Sequence, residues 1–235
     1  MHTSVIIPIK DEQENIVDLI AEIEPVMEGL GKPWELLCID DGSEDQSLAL
    51  LQDLCQQKPY LRVLSFTKNF GQSNAFAAGF KAARGSFIVT LDGDRQNDPA
   101  DIPKLMEAIE KADLVVGWRV NRKDTLQKRL ISRGANWVRS RMCRDGMHDT
   151  GCSLKVYRKE ALAKIKLFDG MHRFLPALFK IEKMRIQEVP VNHRSREKGK
   201  TKYHFFNRSL KPLVDLFVVR WMRKHALDYK IEKEL

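Results

Sequence analysis

The chain has 235 residues, 43% hydrophobic and 31% charged, which suffices for one large core, or a domain plus a tail, and argues against a disordered chain. Its net charge of +8 conceals an uneven split: residues 1–117 hold 10 Lys/Arg against 20 Asp/Glu, and residues 118–235 hold 30 against 12. A dipolar chain of this kind implies two differently charged partners or surfaces, and its basic half suits nucleic acid, anionic lipid or phosphate groups.

Short apolar runs alternate with helical patterns through the first half. Val5–Ile9 (VIIPI) reads as a strand, and residues 12–29 then place Ile16, Leu19, Ile20, Ile23 and Val26–Met27 on one helical face. Glu35–Ile39 (ELLCI) is a second strand, after which Ser43 is expected to cap a helix, with Gln46 completing a capping box. Val63–Phe66 is a third strand, followed by a helix over about residues 70–83 that stops at Gly85. Phe87–Leu91 (FIVTL) is the fourth strand. Asp98-Pro99 reads as an N-cap and first helical position of a helix reaching about Lys111, and Leu114–Trp118 is the fifth strand. The second half is less regular: a basic amphipathic helix over 125–142, a strand at Ile186–Val191, a basic loop over 194–202 and an amphipathic helix after Pro212.

Such alternation predicts an α/β fold: an open, mostly parallel, twisted sheet with helices on both faces, plus a C-terminal amphipathic helix. Ligands of open sheets bind at the carboxyl ends of the strands. The acidic clusters sit there, Asp40-Asp41 after the second strand and Asp92-Gly93-Asp94 after the fourth. No window reaches the ~20 apolar residues of a spanning helix. The longest, Leu213–Trp221, is broken by Asp215 and Arg220, and the N-terminus has no signal-peptide pattern. Cys38, Cys55, Cys143 and Cys152 lack zinc or CxxC spacing and read as free thiols of a reducing compartment. The expected location is cytoplasmic, or peripheral on a membrane.

Two carboxylates on alternate residues of a turn, Asp92 and Asp94, can reach one divalent cation, and Gly93 lets the backbone approach a bulky ligand. Mg²⁺ prefers a few carboxylates plus substrate phosphate oxygens, and Gln96 could add an amide oxygen or a bridged water. Asp98 is better spent as the helix cap. One of Asp40 and Asp41 could accept hydrogen bonds from a base or ribose, although an acid-rich helix start explains both equally well. Arg194 to Lys202 carry five cations and one acid, and the helix over 125–142 adds Lys128, Arg129, Arg133, Arg139 and Arg141. Together they read as an anion-receiving face. No nucleic-acid-binding module is present. His172 reads as a structural histidine at a turn into the next helix; His148 and His193 have no metal-ligand spacing.

At this point a resemblance emerges. VIIPIKDEQENI, IDDGS, FGQSNAFAAGFKAARG, LDGDRQNDP, GWR, TGCSLKVYRKEAL and VPVNHRSREKGKTKY follow the order seen in family 2 glycosyltransferases. The chain looks most like their polyprenyl-phosphate branch, represented by dolichyl-phosphate mannose synthase and the undecaprenyl-phosphate sugar transferases. The resemblance covers about residues 3–205. It implies a GT-A domain over 1–205 with a helical appendage over 206–235, and a UDP- or GDP-sugar donor. By the same resemblance Pro8, Glu12 and Asp40 line the nucleoside site. Asp92, Gly93, Asp94 and Gln96 hold Mg²⁺ or Mn²⁺ and the diphosphate. Arg119, Arg194 and Lys202 face the donor and acceptor phosphates. The family's usual Tyr-Asn is Lys10-Asp11 here, and an expected Arg aligns with Lys128, beside Arg129. Many relatives continue into transmembrane helices; this sequence stops before them, as a soluble form or a truncated chain would.

The implied reaction moves a sugar to a polyprenyl phosphate at the cytosolic face of an anionic membrane. A phosphate monoester with a second pKa near ~6 is already an anion and needs orientation rather than a general base. Other readings are a transferase acting on a soluble glycan or protein, and a nucleotide-sugar-binding subunit without turnover. Oligomeric state is not legible.

Overall fold

The computed structural model describes residues 2–120, 139–195 and 210–227. Among these residues seven strands form one sheet, in the order β3-β2-β1-β4-β6-β5-β7. In chain order these are β1 (Thr3–Ile9), β2 (Trp34–Asp40), β3 (Leu61–Ser65), β4 (Phe87–Thr90), β5 (Leu114–Arg119), β6 (Lys155–Arg158) and β7 (Ile186–Val191). The helices are α1 (Ile16–Gly29), α2 (Ser47–Gln57), α3 (Gln72–Ala82), α4 (Ile102–Ala108), α5 (Lys159–Leu162), α6 (Leu175–Ile181) and α7 (Leu210–Lys224). A further helical stretch covers residues 139–143.

Strand alternation divides the apolar residues between two cores. Val5, Ile7 and Ile9 of β1 face one side with the buried stripe of α1, Leu51 of α2 and Ile102 and Leu105 of α4. Ile6 faces the other, with Phe76 and Phe80 of α3, Leu178 and Phe179 of α6 and Leu216 and Val219 of α7. Period-2 side chains on a buried strand require cover on both faces, which the helices supply.

The sheet is mostly parallel, as expected, and β6, a strand the sequence did not suggest, runs antiparallel between β4 and β5. Its four residues, KVYR, begin and end in cations and give no apolar run to recognise. Ser43 caps no helix: its Oγ accepts the Asp11 N–H, and α2 starts four residues later. The sequence pattern puts Leu213, Leu216, Phe217, Val218 and Trp221 on one broad side of the helix after Pro212; Leu216 instead lies in the core, whereas Leu213, Val214, Phe217, Val218 and Trp221 are exposed. Asp215, also buried, lies against Gly170, whose φ of +101° and contact leave no room for a side chain. Asp98 caps the 3-10 turn Pro99–Asp101 as expected, its side chain accepting from the Ala100 N–H. No described helix is long and apolar enough to cross a membrane.

Candidate functional site

The carboxyl ends of β1, β2, β4 and β5 bring the expected residues to one edge of the sheet. Beyond β1 and β2 the chain zips two loops together. Lys10 Nζ donates to the Gly42 carbonyl at 2.8 Å, and the Glu12 N–H to Ser47 Oγ at 2.8 Å. Asp11 Oδ1 accepts the Glu44 N–H at 2.7 Å. Lys10 and Asp11, where the family has Tyr-Asn, therefore brace this rim. Asp40 is buried and accepts from Ser43 N–H and Ser65 Oγ, so it shapes the turn from beneath. Asp41 accepts the N–H groups of Phe70 and Gly71, which lead into α3. Burial pushes its pKa above the usual carboxylate range against those hydrogen bonds.

Gly93 joins this rim to the loop after β4. A Cβ there would stand 2.9 Å from Ile9 Cδ1, 3.2 Å from the Pro8 carbonyl oxygen and 3.5 Å from Glu12 Cγ. The close approach that Gly93 permits is thus to the chain itself, and it sets Pro8 and Glu12 beside the Asp92–Asp94 turn. Asp92 Oδ1 accepts from Gln72 Nε2 at 2.8 Å and its Oδ2 from Ser153 Oγ, while its N–H donates to Asn97 Oδ1 at 3.2 Å. Asp94 Oδ1 accepts the Gln96 N–H at 3.2 Å. Among the described residues no three His, Cys, Asp or Glu cluster to hold a metal by themselves. Two carboxylates that leave the remaining positions to diphosphate oxygens are a donor set that suits Mg²⁺ or Mn²⁺, so the residues fit such an ion.

Arg119 ends β5. Its Nε and Nη2 form a fork on Asp149 at 2.6 and 2.9 Å. Burial disfavours the charge, yet the Asp149 carboxylate keeps the Arg119 pKa above its ordinary value, with Asp92 adding in the same direction. Asp149 is fixed in turn by β7, because Glu188 accepts both the His148 and Asp149 N–H groups. The His148 ring meets Glu188 at 2.7 Å and stacks on Trp118 at 4.5 Å. Cys152 lies among these groups, but burial pushes its thiol up to about 11, against the pull of Arg119 and Lys155, so it is no thiolate nucleophile.

Arg194 reaches the same loop from the other side. Its N–H donates to the Gln96 carbonyl at 3.0 Å, beside a bridge between Asn97 and His193. Its guanidinium lies on Glu22 and, at 2.8 Å, on Asp98. Glu22 also accepts from Arg95, the residue after Asp94. A cleft of about 130 Å³ between Asn15, Arg95, Arg194 and Ser195 opens there. Arg139, expected on an anion-receiving face, instead turns inward onto Asp145 and the Met147 carbonyl. Lys128, Arg129, Arg133 and Lys202 lie outside the described residues. His172 occupies a turn before α6, as expected, and meets Ser73 Oγ through Nδ1 at 2.7 Å.

Sequence reasoning did not single out Gln72, Asn97, Asp149, Ser153, Lys155 or Glu22. Four of these lie in segments that carry the family resemblance, FGQSNAF, LDGDRQNDP and TGCSLKVYR, which was the available signal. Glu22 sits on a helix whose apolar stripe gave no hint of its role.

A family model, glycosyl transferase family 2, matches residues 4–166. The dodecaprenyl-phosphate galacturonate synthase of Rhizobium johnstonii is 38% identical over 231 residues, covering 96% of this chain and 68% of that protein. The undecaprenyl-phosphate 4-deoxy-4-formamido-L-arabinose transferase of Salmonella paratyphi B is 38% identical over 204 residues, 86% of this chain and 62% of that protein. This chain therefore spans less than two thirds of the second. Among solved structures, Mycobacterium tuberculosis glucosyl-3-phosphoglycerate synthase with Mn²⁺, UDP and phosphoglyceric acid aligns with a TM-score of 0.70 at 17% identity, over 97% of this chain and 80% of that one. S. aureus TarS with UDP-GlcNAc aligns with a TM-score of 0.63 at 14% identity, over 98% and 68%. These two share the GT-A type of fold. The chain belongs to glycosyl transferase family 2, and its likeness within that family is to the polyprenyl-phosphate sugar transferases.

Proposed function

We propose that this chain transfers a sugar from a UDP- or GDP-sugar to a polyprenyl phosphate at the cytosolic face of a membrane, inverting the anomeric centre. The observation that carries this reading is the convergence at Gly93. Its packing on Pro8 and Glu12 sets the nucleoside-side rim against Asp92 and Asp94, with Arg119 in the field of Asp92. The names of the relatives supply the acceptor class, and the Mn²⁺ and UDP of the mycobacterial neighbour supply the donor class.

In the proposed displacement the acceptor phosphate oxygen bonds to the sugar's anomeric carbon as the bond from that carbon to the β-phosphate oxygen breaks. Pro8, Glu12 and the rim over Asp40 receive the nucleoside. Asp92, Asp94 and Gln96 would hold Mg²⁺ or Mn²⁺, which when bound supplies charge stabilisation to the leaving diphosphate. Arg119 adds a fixed positive charge, and Arg194, Lys202 and Lys128 or Arg129 orient the acceptor's phosphate. That anion needs no general base, so no His or Glu has to take a proton.

In this reading residues 1–205 form the transferring domain and 206–235 a helical appendage. The exposed apolar side of α7, with Arg220 and Lys224 nearby, suits the interface of an anionic bilayer, lying in its plane. Incubation with polyprenyl phosphate and a panel of UDP- and GDP-sugars, with lipid products resolved by mass, tests the whole proposal. A glycosylated lipid phosphate is expected from at least one donor. Transfer only to a soluble glycan or protein, or nucleotide-sugar binding without turnover, refutes it.

A further inference from the structure

One carboxylate stands between the two loops that the proposed reaction must bring together. Glu22 lies on α1, one turn after Asp18, on the opposite side of the helix from the buried stripe of Ile16, Leu19, Ile20 and Ile23. Its Oε1 accepts from Arg95 Nε at 3.1 Å and Nη2 at 2.6 Å, and its Oε2 accepts from Arg194 Nη1. Asp18 accepts from Arg95 Nη1 at 2.8 Å, and Asp98 from Arg194 Nη2 at 2.8 Å. The two oxygens of Glu22 thus serve arginines from distant parts of the chain. Arg95 follows Asp94, and Arg194 opens the basic loop.

Arg95 also occupies a strained turn. Its φ of +60° lies in the left-handed region, which a residue with a side chain avoids unless its surroundings hold it there. The bonds from its guanidinium to Asp18 and Glu22 supply that hold. Asp94 and Gln96, both assigned to the ion in the proposal above, flank it. The Gln96 carbonyl in turn accepts the Arg194 N–H at 3.0 Å. Arg194 keeps its side chain 38% exposed, and a guanidinium carries five N–H donors, of which Glu22 and Asp98 take two. These carboxylates aim the fork without using up the donors that an acceptor phosphate would need.

We propose that Glu22 is a positioning residue that couples the donor and acceptor sides of the site: one carboxylate holds the Asp94–Gln96 turn through Arg95 and the first cation of the basic loop through Arg194. The inference rests on the polyprenyl-phosphate reading and adds a link between its two halves. Removing either arginine frees the carboxylate and so disturbs the other. A neutral amide cannot replace it, because Gln offers one acceptor oxygen and sets an N–H group against the second guanidinium. Three carboxylates, Asp18, Glu22 and Asp98, meet two guanidinium groups here, so charge as well as geometry holds the cluster.

The test uses the full chain with Glu22→Gln, Arg95→Gln and the double variant, all assayed well below their melting temperatures. In metal-free protein, amide hydrogen exchange is followed over residues 192–195, where the Arg194 N–H meets the Gln96 carbonyl. Arg95→Gln should speed that exchange by about tenfold, Glu22→Gln by a similar factor, and the double variant by no more than either alone. Kinetics use undecaprenyl phosphate and whichever UDP- or GDP-sugar the wild type turns over. Each variant should raise the KM for the lipid phosphate about tenfold, again without adding in the double variant, and that for the nucleotide sugar about threefold. A merely structural contact would lower the melting temperature and the fraction of active enzyme, so kcat would fall with both KM values unchanged. That pattern, additive effects in the double variant, or unaltered exchange at 192–195 in Arg95→Gln overturns the proposal while the transferase reading stands. Wild-type protein that makes no lipid product from any donor overturns both.

Discussion

Phe217 and Trp221 offer the sharpest test of how the protein meets its acceptor. Their side chains are 62% and 61% exposed on α7, while Leu216 on the same helix is 4% exposed. With about 200 Å² of surface per aromatic side chain, about 120 Å² of each remains in water. At about 25 cal/mol per Å², complete transfer of that surface to an apolar phase gives about 3 kcal/mol each. Insertion to half that depth at the interface gives about 3 kcal/mol for the pair, or about 100-fold in partitioning. Phe217→Glu with Trp221→Glu should lower association with anionic liposomes by at least that factor in a sedimentation assay. The wild-type association should weaken at high salt, since each cation near the surface adds about 1 kcal/mol. Because these atoms are already solvated in the folded protein, the melting temperature should move by no more than about 3 °C. Leu216→Ala should behave differently, losing about 2–5 kcal/mol from the core. At about 2–4 °C per kcal/mol that is a drop of about 4–20 °C. A double-Glu variant that stays on the liposomes, or melts as low as Leu216→Ala, would show the exposed side of α7 to be something other than a membrane face.

Asp94→Asn should nearly abolish transfer with the melting temperature retained, and EDTA should do the same to wild type; full activity in EDTA would remove the metal from the scheme. Gly93→Ala puts a methyl group 2.9 Å from Ile9 Cδ1 and 3.2 Å from the Pro8 carbonyl oxygen, and should cost about 1–3 kcal/mol in urea unfolding together with most of the activity. Glu22 carries a pH signature. Burial raises its pKa, but hydrogen bonds from Arg95 and Arg194 hold it below the ordinary 4.5. A depressed carboxylate pKa stabilises above the unfolded value, and that stabilisation is lost as pH falls through the folded one. Exposure and screening limit the effect to about 1 kcal/mol. Glu22→Gln should therefore melt lower than wild type at neutral pH, with the gap closing as pH falls below the ordinary 4.5; a constant gap would refute the ion-pair account.

The β-α alternation, the strand carrying FIVT into LDGDRQNDP and the Asp98-Pro99 helix start were all legible, because local periodicity and capping chemistry leave their mark within a few residues. The place where the candidate residues gather followed from the same pattern, since polar clusters after buried strands lie at the carboxyl edge. By itself the sequence determined an α/β sheet, an acidic edge and a basic second half. Its motifs also placed it in family 2.

What tertiary structure decided was which residue meets which. Arg194 finds Glu22 across 172 positions of chain, and Asp92 finds Ser153 across 61. Neither pairing leaves a local pattern. The sides of α7 were ambiguous for a related reason. Leu216 and Phe217 are equally apolar and adjacent, and only the surface offered by α6 and the sheet selects the one that is buried. β6 was missed because its four residues begin and end in cations, and the apolar pair between them is too short to read as a run. Hydrophobic period is a property of the chain, but ion pairing and burial depend on the neighbours that folding brings, so the fold was readable before the site was.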